Sequence, residues 1–203
     1  MKSFLGIELG STRIKAVLTD ATGQALASGG YNWENRLENG VWTYRMDDVW
    51  FGLRECFSDL IGDYGAKHAQ TFPDIGCIGI SAMMHGYLPL DDNGEQLTEF
   101  RTWRNTITKE ASTRLTDAFG FNIPQRWSIA HLYRAIAGGE AHVNDIGLLT
   151  TLAGYVHYKL TGQRVIGVGD ASGMFPIDDT IKDFNAKMAD QFDALAQEFG
   201  FSR

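Results

Sequence analysis

The hydrophobic pattern at the start of the chain predicts three consecutive β-strands. Apolar and polar residues alternate through residues 4–9 and again through 13–18, which is the two-residue period of a strand. Residues 10–12, Gly-Ser-Thr, lie between these two runs and predict a tight turn. Residues 24–31 can form a third strand, so the chain is expected to open with an antiparallel meander.

The pattern then changes from the period of a strand to that of a helix and back. From residue 48 apolar residues recur on one helical face, and Asp47 or Asp48 is expected to cap this helix. Residues 75–82 form a short apolar run typical of a buried strand. The order β, β, β, α, β resembles the ribonuclease-H-like fold of actin, Hsp70 and sugar kinases. That resemblance implies an α/β domain with a mixed five-stranded sheet flanked by helices.

The second half of the sequence predicts mainly helices. Apolar residues at helical spacing fill residues 106–118, 128–137 and 148–160. Ser128 is expected to be the N-cap of the second of these helices. Short strands are predicted at residues 100–105, 164–168 and 173–177, and a last helix carries an apolar stripe that ends at residue 199.

Composition and charge restrict the class of protein. The apolar fraction of 44% in 203 residues is sufficient for a hydrophobic core. The net charge is −7 without a basic cluster, so we expect no nucleic-acid partner. No apolar run reaches membrane-spanning length, so we expect no membrane partner either. Cys56 and Cys77 both lie in apolar segments and are expected to be reduced core residues of a cytoplasmic protein.

The first turn has the residue types of a phosphate site. Gly10 lets the backbone approach a ligand, successive N–H groups in a turn can converge on an anion, and Ser11 and Thr12 add hydroxyl donors. Lys15 adds a positive charge, and Glu8 at the mouth of the turn is suited to a hydrated magnesium ion. Taken alone, such a segment is more often an ordinary turn.

A second candidate site follows the predicted strand at residues 75–82. Ligands collect at the carboxyl ends of strands in parallel sheets, and Met84, His85 and Gly86 lie at such an end. The imidazole of His85 can donate to and accept from sugar hydroxyls, and Gly86 allows close approach. The alternative is a core methionine followed by a surface histidine at a bend.

Residues 103–105 are further candidates for sugar binding. Trp103 can stack on the face of a sugar, while Arg104 and Asn105 can form hydrogen bonds with its hydroxyls. The alternative is that this aromatic residue only packs within a strand.

Four stretches together resemble the N-terminal domain of the FGGY family of carbohydrate kinases, and within it the xylulokinases. The Met-His-Gly sequence resembles the xylulokinase Gln-Met-His-Gly, whereas glycerol kinases have an Arg-Glu pair at that place. The four stretches cover nearly the whole chain in the expected order: residues 6–15, residues 42–50, residues 78–86, and residues 155–162 with 169–173.

The resemblance implies ATP-dependent phosphorylation of a ketopentose such as xylulose. The turn at residues 10–12, with Lys15 near it, would contact the ATP phosphates, and Glu8 would position Mg²⁺. Residues 84–86 and 103–105 would orient the sugar, the small-molecule partner. The sequence leaves the oligomeric state open, a homodimer being one option.

Three residues depart from the family pattern. Glu8 stands where the family usually has Asp, Met83 replaces Gln, and Asn105 replaces an Asp that often follows the tryptophan. These differences leave the reaction class unchanged and bear only on which sugar is bound.

The catalytic base is not predicted within this chain. In the family, this aspartate lies in a Gly-Gly-Asp segment that is expected beyond Arg203, before an adenine-binding C-terminal domain. Residues 1–203 are therefore expected to be an incomplete N-terminal domain that phosphorylates nothing at a useful rate alone. The alternative is a non-catalytic, actin-like or Hsp70-like nucleotide-binding module, whose association would depend on ATP and not on sugar.

Overall fold

The computed structural model describes residues 2–201, which form two compact units. The first unit comprises the described residues up to Arg36 together with Tyr44–Met83, and the second comprises Leu37–Thr43 and the described residues from Met84 onward. In chain order the elements are β1 (Ser3–Leu9), β2 (Arg13–Thr19), β3 (Ala25–Asn32), β4 (Arg36–Glu38), β5 (Val41–Thr43), α1 (Met46–His68), β6 (Ile75–Ala82), β7 (Leu88–Leu90), α2 (Lys109–Phe119), α3 (Ser128–Ala137), a 3-10 helix (Ala141–Asp145), β8 (Leu148–Thr150), α4 (Leu152–Thr161), α5 (Val168–Ala171), β9 (Ile177–Asp178), β10 (Asp183–Phe184) and α6 (Ala186–Gln197).

The first unit is built on a mixed sheet with the strand order β3-β2-β1-β6. Strands β1, β2 and β3 are antiparallel neighbours, and β6 lies parallel to β1. A parallel strand needs a crossover connection, which α1 provides. The predicted order β, β, β, α, β is thus confirmed. The described sheet has four strands where five were predicted.

Helix α1 packs closely against β3. A side chain on Gly29 would place its Cβ 2.3 Å from the backbone oxygen of Cys56, so only glycine permits this approach. Val49 and Leu60 are fully buried on the same helix. The predicted capping role of Asp47 or Asp48 is wrong, because the helix begins after Arg45 without a side-chain cap; both acids lie in its first turn.

The two cysteines differ in environment, contrary to the prediction that both are core residues. Cys56 is a buried residue of α1, and burial raises the pKa of its thiol to about 11. Cys77 is exposed, because β6 is an edge strand of the described sheet and most of its residues remain accessible; the prediction of a strand at residues 75–82 is confirmed, but the prediction that it is buried is wrong. Within residues 2–201, no helix is long and apolar enough to cross a membrane.

The second unit has a helical core. Helices α2, α3 and α6 share an apolar cluster that includes Leu115, Ile123 and Ala130, all fully buried. Three small two-stranded sheets, β4-β5, β7-β8 and β9-β10, are also present. Helix α3 has the predicted bounds, but its N-cap is Trp127 and Ser128 is its first residue.

Several predicted elements of the second unit are wrong. The predicted helix at residues 148–160 starts as strand β8, and α4 begins only after Thr151, whose hydroxyl accepts the Gly154 N–H. The predicted strand at 100–105 is reduced to one bridge between Tyr87 and Arg101. Side-chain hydrogen bonds of Thr and Asn compete with regular structure at such places.

A cluster of polar side chains surrounds the buried Tyr87. Its hydroxyl lies 2.9 Å from Nε2 of His142, and the buried guanidinium of Arg101 pairs with Glu140. The ring of His131 stacks against Tyr87 with centroids 6.1 Å apart, and neither of its nitrogens has a hydrogen-bond partner within the described residues. Burial, with Arg101 and Arg134 adding repulsion, lowers the pKa of His131 to about 3.

We expect His131 to make the fold sensitive to acid. Unfolded chains bind this proton below about pH 6.5, whereas the folded chain does not until about pH 3. The free energy of unfolding therefore falls as the pH decreases between these values, by up to about 1.4 kcal/mol per pH unit for this proton. His131→Met should reduce that slope by one proton, measured by urea unfolding at pH 7, 5.5 and 4.5.

His157→Met is the matched control, since that side chain is partly exposed on α4. The interpretation is wrong if both variants lose stability with acid as steeply as the wild type.

Candidate functional site

The predicted phosphate turn connects β1 to β2 as a tight hairpin. Leu9 pairs with Ile14, and the N–H of Gly10 donates to the backbone oxygen of Arg13 at 3.0 Å. Ser11 and Thr12 are exposed at its tip. A Cβ on Gly10 would lie 3.0 Å from the Arg13 oxygen, so glycine suits this position for steric reasons.

All three carbonyl oxygens of the turn already accept hydrogen bonds from the first unit. The indole Nε1 of Trp33 donates to Gly10 at 2.7 Å, and its backbone N–H donates to Thr12 at 3.1 Å. The hydroxyl of Tyr44 donates to Ser11 at 2.6 Å. The rings of Trp33 and Tyr44 are stacked with centroids 4.3 Å apart and are both buried. These contacts hold the oxygens away from the tip.

Among the donors of the turn, only the N–H of Gly10 is engaged, by the oxygen of Arg13. The backbone N–H groups and the hydroxyls of Ser11 and Thr12 have no hydrogen-bond partner among the described residues. A turn whose acceptors are satisfied and whose donors are free has the polarity that an anion requires. The arrangement can therefore bind a phosphate group.

Glu8 and Lys15 lie directly opposite each other in the β1-β2 pair. Their charged ends are 3.2 Å apart and each side chain is about half exposed. In the described residues, no group of three or more His, Cys, Asp or Glu residues could hold a metal ion. Magnesium usually keeps several waters and uses one or two carboxylates with substrate phosphates. Glu8 fits a water-mediated contact of that kind, but not a metal site made by protein alone.

The Met-His-Gly segment of the second unit has an unusual backbone. His85 has φ of 69° and Gly86 has φ of 101°, both in the left-handed region. A non-glycine residue there is uncommon, although histidine is found there more often than most residues. Met84 is exposed, whereas His85 is half-buried.

Hydrogen bonds hold this backbone in place. The N–H of Gly86 donates to the oxygen of Arg126 at 3.0 Å, and the hydroxyl of Ser128 donates to the oxygen of Gly86 at 2.5 Å. Nδ1 of His85 lies 3.2 Å from the oxygen of Gly173. Burial is the main cause that lowers the pKa of His85, so its imidazole is neutral at pH 7.

Residues 103–105 differ in solvent exposure and in the contacts of their side chains. Trp103 is 43% exposed and available to a ligand, while the guanidinium of Arg104 lies over the ring of Trp42 at 4.3 Å. Asn105 is buried, and its amide oxygen accepts the Trp42 N–H at 2.9 Å. Its amide nitrogen donates to the oxygens of Trp42 and Thr102 at 2.8 and 2.9 Å. The amide of Asn105 thus holds the backbone of Trp42.

Sequence reasoning missed the residues that support both segments. Trp33 and Tyr44 fix the phosphate turn, and Ser128 and Gly173 fix the Met-His-Gly segment. The contacts of Trp42 with Arg104 and Asn105 were not predicted either. Each of these contacts joins residues far apart in the chain, so no local periodicity could have indicated them.

A comparison with known protein families identifies the family of this chain. A family model described as the FGGY family of carbohydrate kinases, N-terminal domain, matches residues 3–126. The chain belongs to this family. Its match includes the phosphate turn, the Met-His-Gly segment and residues 103–105.

Known relatives of this FGGY chain are longer than it is. The xylulose kinase of Bacillus subtilis (strain 168) is 23% identical over 199 residues, covering 94% of this chain and 39% of the relative. The structure of xylulose kinase from Rhodospirillum rubrum matches with a TM-score of 0.79 at 19% identity, covering 97% of this chain and 41% of that chain. Plasmodium falciparum glycerol kinase with ADP also reaches 0.79, at 18% identity, covering 98% and 42%.

These matches establish the sugar-kinase fold, and the chain spans about two fifths of the length of the relatives. The xylulose and glycerol kinase structures match equally well. The fold of this FGGY chain therefore does not distinguish between their substrates.

Asn105→Asp should destabilise the second unit of this FGGY chain. A carboxylate cannot donate to the oxygens of Trp42 and Thr102, and its charge would face both of them. We expect a loss of about 2–3 kcal/mol in the free energy of unfolding, measured by urea denaturation at pH 7. This residue is the one at which the family often has Asp.

Asn122→Asp makes the same chemical change at an exposed position and serves as the control. Equal stability of the two variants would show that the Asn105 amide is not required.

Proposed function

We propose that this chain forms the N-terminal phosphate- and sugar-binding part of an ATP-dependent kinase for a ketopentose such as xylulose. Membership of the FGGY family supports the reaction class. The observation that carries the proposal is the polarity of the hairpin turn, whose three oxygens are all engaged while the N–H groups and hydroxyls of Ser11 and Thr12 have no partner among the described residues.

In this proposal the hairpin binds the phosphates of ATP. The N–H groups and hydroxyls of Ser11 and Thr12 would donate to phosphate oxygens, with Gly10 leaving room for close approach. Lys15 would contribute positive charge, and its ion pair with Glu8 would rearrange when the phosphates arrive. Phosphoryl transfer depends mainly on such positioning and charge stabilisation.

Magnesium would enter with the nucleotide. Glu8 would hold it through water, and the ion would neutralise charge on the phosphates. The single exposed carboxylate of Glu8 supports this outer contact.

The sugar would bind at the Met-His-Gly segment. Met84 and His85 would contact it, and Gly86 would allow its approach. Trp103 is exposed and can stack on a sugar face, with Arg104 at the same turn. Asn105 would act through Trp42, since its own amide groups are already used.

The reaction is tested with the full-length protein that contains this chain. With ATP and Mg²⁺, we expect ADP release to depend on D-xylulose and to exceed that with glycerol or gluconate, in a coupled ADP-release assay. Sugar-independent ADP release, or association that depends on ATP alone, would instead favour a nucleotide-binding module. Preference for glycerol would disprove the assignment of a ketopentose.

Tyr44→Phe in the full-length protein should weaken ATP binding. Without the hydroxyl, the oxygen of Ser11 loses its donor and the turn is free to rotate toward the ligand. We expect the KM for ATP to rise roughly fivefold, equivalent to one hydrogen bond of about 1 kcal/mol. The KM for the sugar should change less.

Tyr31→Phe is the matched control, because it removes a hydroxyl from another tyrosine of the first unit, whose ring packs on Phe51. If both variants change the KM for ATP equally, the hairpin is not held for nucleotide binding in the way proposed.

A further inference from the structure

The contact between His85 and Gly173 determines where the imidazole carries its proton. Nδ1 of His85 lies 3.2 Å from the backbone oxygen of Gly173. A carbonyl oxygen only accepts hydrogen bonds, so the proton of the neutral ring is on Nδ1. Nε2 then has a free lone pair, and it has no hydrogen-bond partner among the described residues.

The surroundings favour the neutral ring. Burial lowers the pKa of His85 and so does the charge of Arg126, while the Gly173 contact and the charge of Asp170 act in the opposite direction. These are the charged groups that face the ring from the neighbouring segments of the second unit. The net direction is downward, so the imidazole does not carry a positive charge near neutral pH.

The Gly173 carbonyl is itself held by a short helix. The N–H of Gly173 donates to the backbone oxygen of Asp170 at 3.0 Å, at the end of α5. The carboxylate of Asp170 accepts a hydrogen bond from the hydroxyl of Thr151. The same hydroxyl accepts the N–H of Gly154 at 3.1 Å, so Thr151 connects α5 to the start of α4.

The space around the ring is equally restricted. A side chain at Gly173 would place its Cβ 2.6 Å from Nδ1 of His85. Thr151 is 1% exposed, so its hydroxyl has no competing contact with solvent. The backbone of Gly173 therefore packs directly against the Nδ1 side of the imidazole.

We infer that Thr151 and Asp170 are positioning residues that keep His85 as the Nδ1–H tautomer, which makes Nε2 an acceptor that selects a substrate hydroxyl over a carboxylate. A hydroxyl can donate to Nε2, whereas an ionised carboxylate has no proton to donate and its charge faces a lone pair. The substrate class at this subsite is a neutral polyhydroxy sugar, and an aldonate is rejected. This inference rests on the proposed sugar site.

Nitrogen-15 NMR of the histidine-labelled 203-residue chain tests the tautomer without any kinase assay. Long-range couplings between ring nitrogens and carbons distinguish Nδ1–H, Nε2–H and the doubly protonated ring. We expect the Nδ1–H pattern for His85 at pH 7.5, with the signal assigned by its loss in His85→Gln. An Nε2–H pattern, or a doubly protonated ring, overturns the inference.

Variants of Thr151 test the positioning role. Thr151→Val removes the hydroxyl and should give a mixture of tautomers at His85, while Thr151→Ser should restore the wild-type pattern. Thr161→Val is the control, since that hydroxyl bonds the His157 oxygen at the other end of α4. If Thr151→Val leaves His85 in one tautomer and circular dichroism shows a folded chain, Thr151 has no positioning role.

In the full-length protein, the same change should alter selectivity. We expect the ratio of kcat/KM for D-xylulose to that for gluconate to fall about fivefold in Thr151→Val, the value of one hydrogen bond. An unchanged ratio alongside normal turnover overturns the selectivity inference and leaves the proposed function intact. Absence of turnover with every sugar in the wild type contradicts the proposed function, while the NMR result stands independently.

Discussion

The hydrogen bonds from Trp33 and Tyr44 to the first turn are the interaction on which the first candidate site depends. They engage the carbonyl oxygens of Gly10, Ser11 and Thr12, so that only donors remain at the tip. An ordinary hairpin turn would present both donors and acceptors to a ligand. The stacked, buried rings of Trp33 and Tyr44 make this polarity rigid, and rigidity reduces the cost of ordering a site when a ligand binds.

The same principle operates in the second unit, where contacts with backbone carbonyls determine which polar atoms stay available. The oxygen of Gly173 accepts a hydrogen bond from Nδ1 of His85, while Nε2 has no partner among the described residues. Both polar atoms of the Asn105 amide form hydrogen bonds with the backbone of Trp42 or Thr102. Asn105 therefore stabilises residues 102–105, and its amide is not available to a ligand. The left-handed backbone of His85 persists because the surrounding hydrogen bonds fix it.

Fold and substrate are determined at different levels in this FGGY chain. Structures of a xylulose kinase and of a glycerol kinase match it with the same TM-score, so the two kinases share this arrangement of strands and helices although they differ in substrate. Under the proposed function, discrimination between sugars comes from the side chains proposed to contact the sugar. A neutral imidazole, an exposed indole at Trp103 and a glycine at position 86 suit a neutral polyhydroxy compound.

The sequence alone was sufficient for the β1-turn-β2 hairpin, helix α1, strand β6 and the family resemblance, because periodicity and turn chemistry act over a few residues. Tertiary structure decided the exposure of Cys77, the loss of the strand at residues 100–105 and the use of the Asn105 amide. Asn105 and Trp42 are 63 residues apart, and a local pattern holds no information on such a pairing. Strand edges and long-range hydrogen bonds exist only once the chain has folded, and they determine which predicted site residues remain free to bind a ligand.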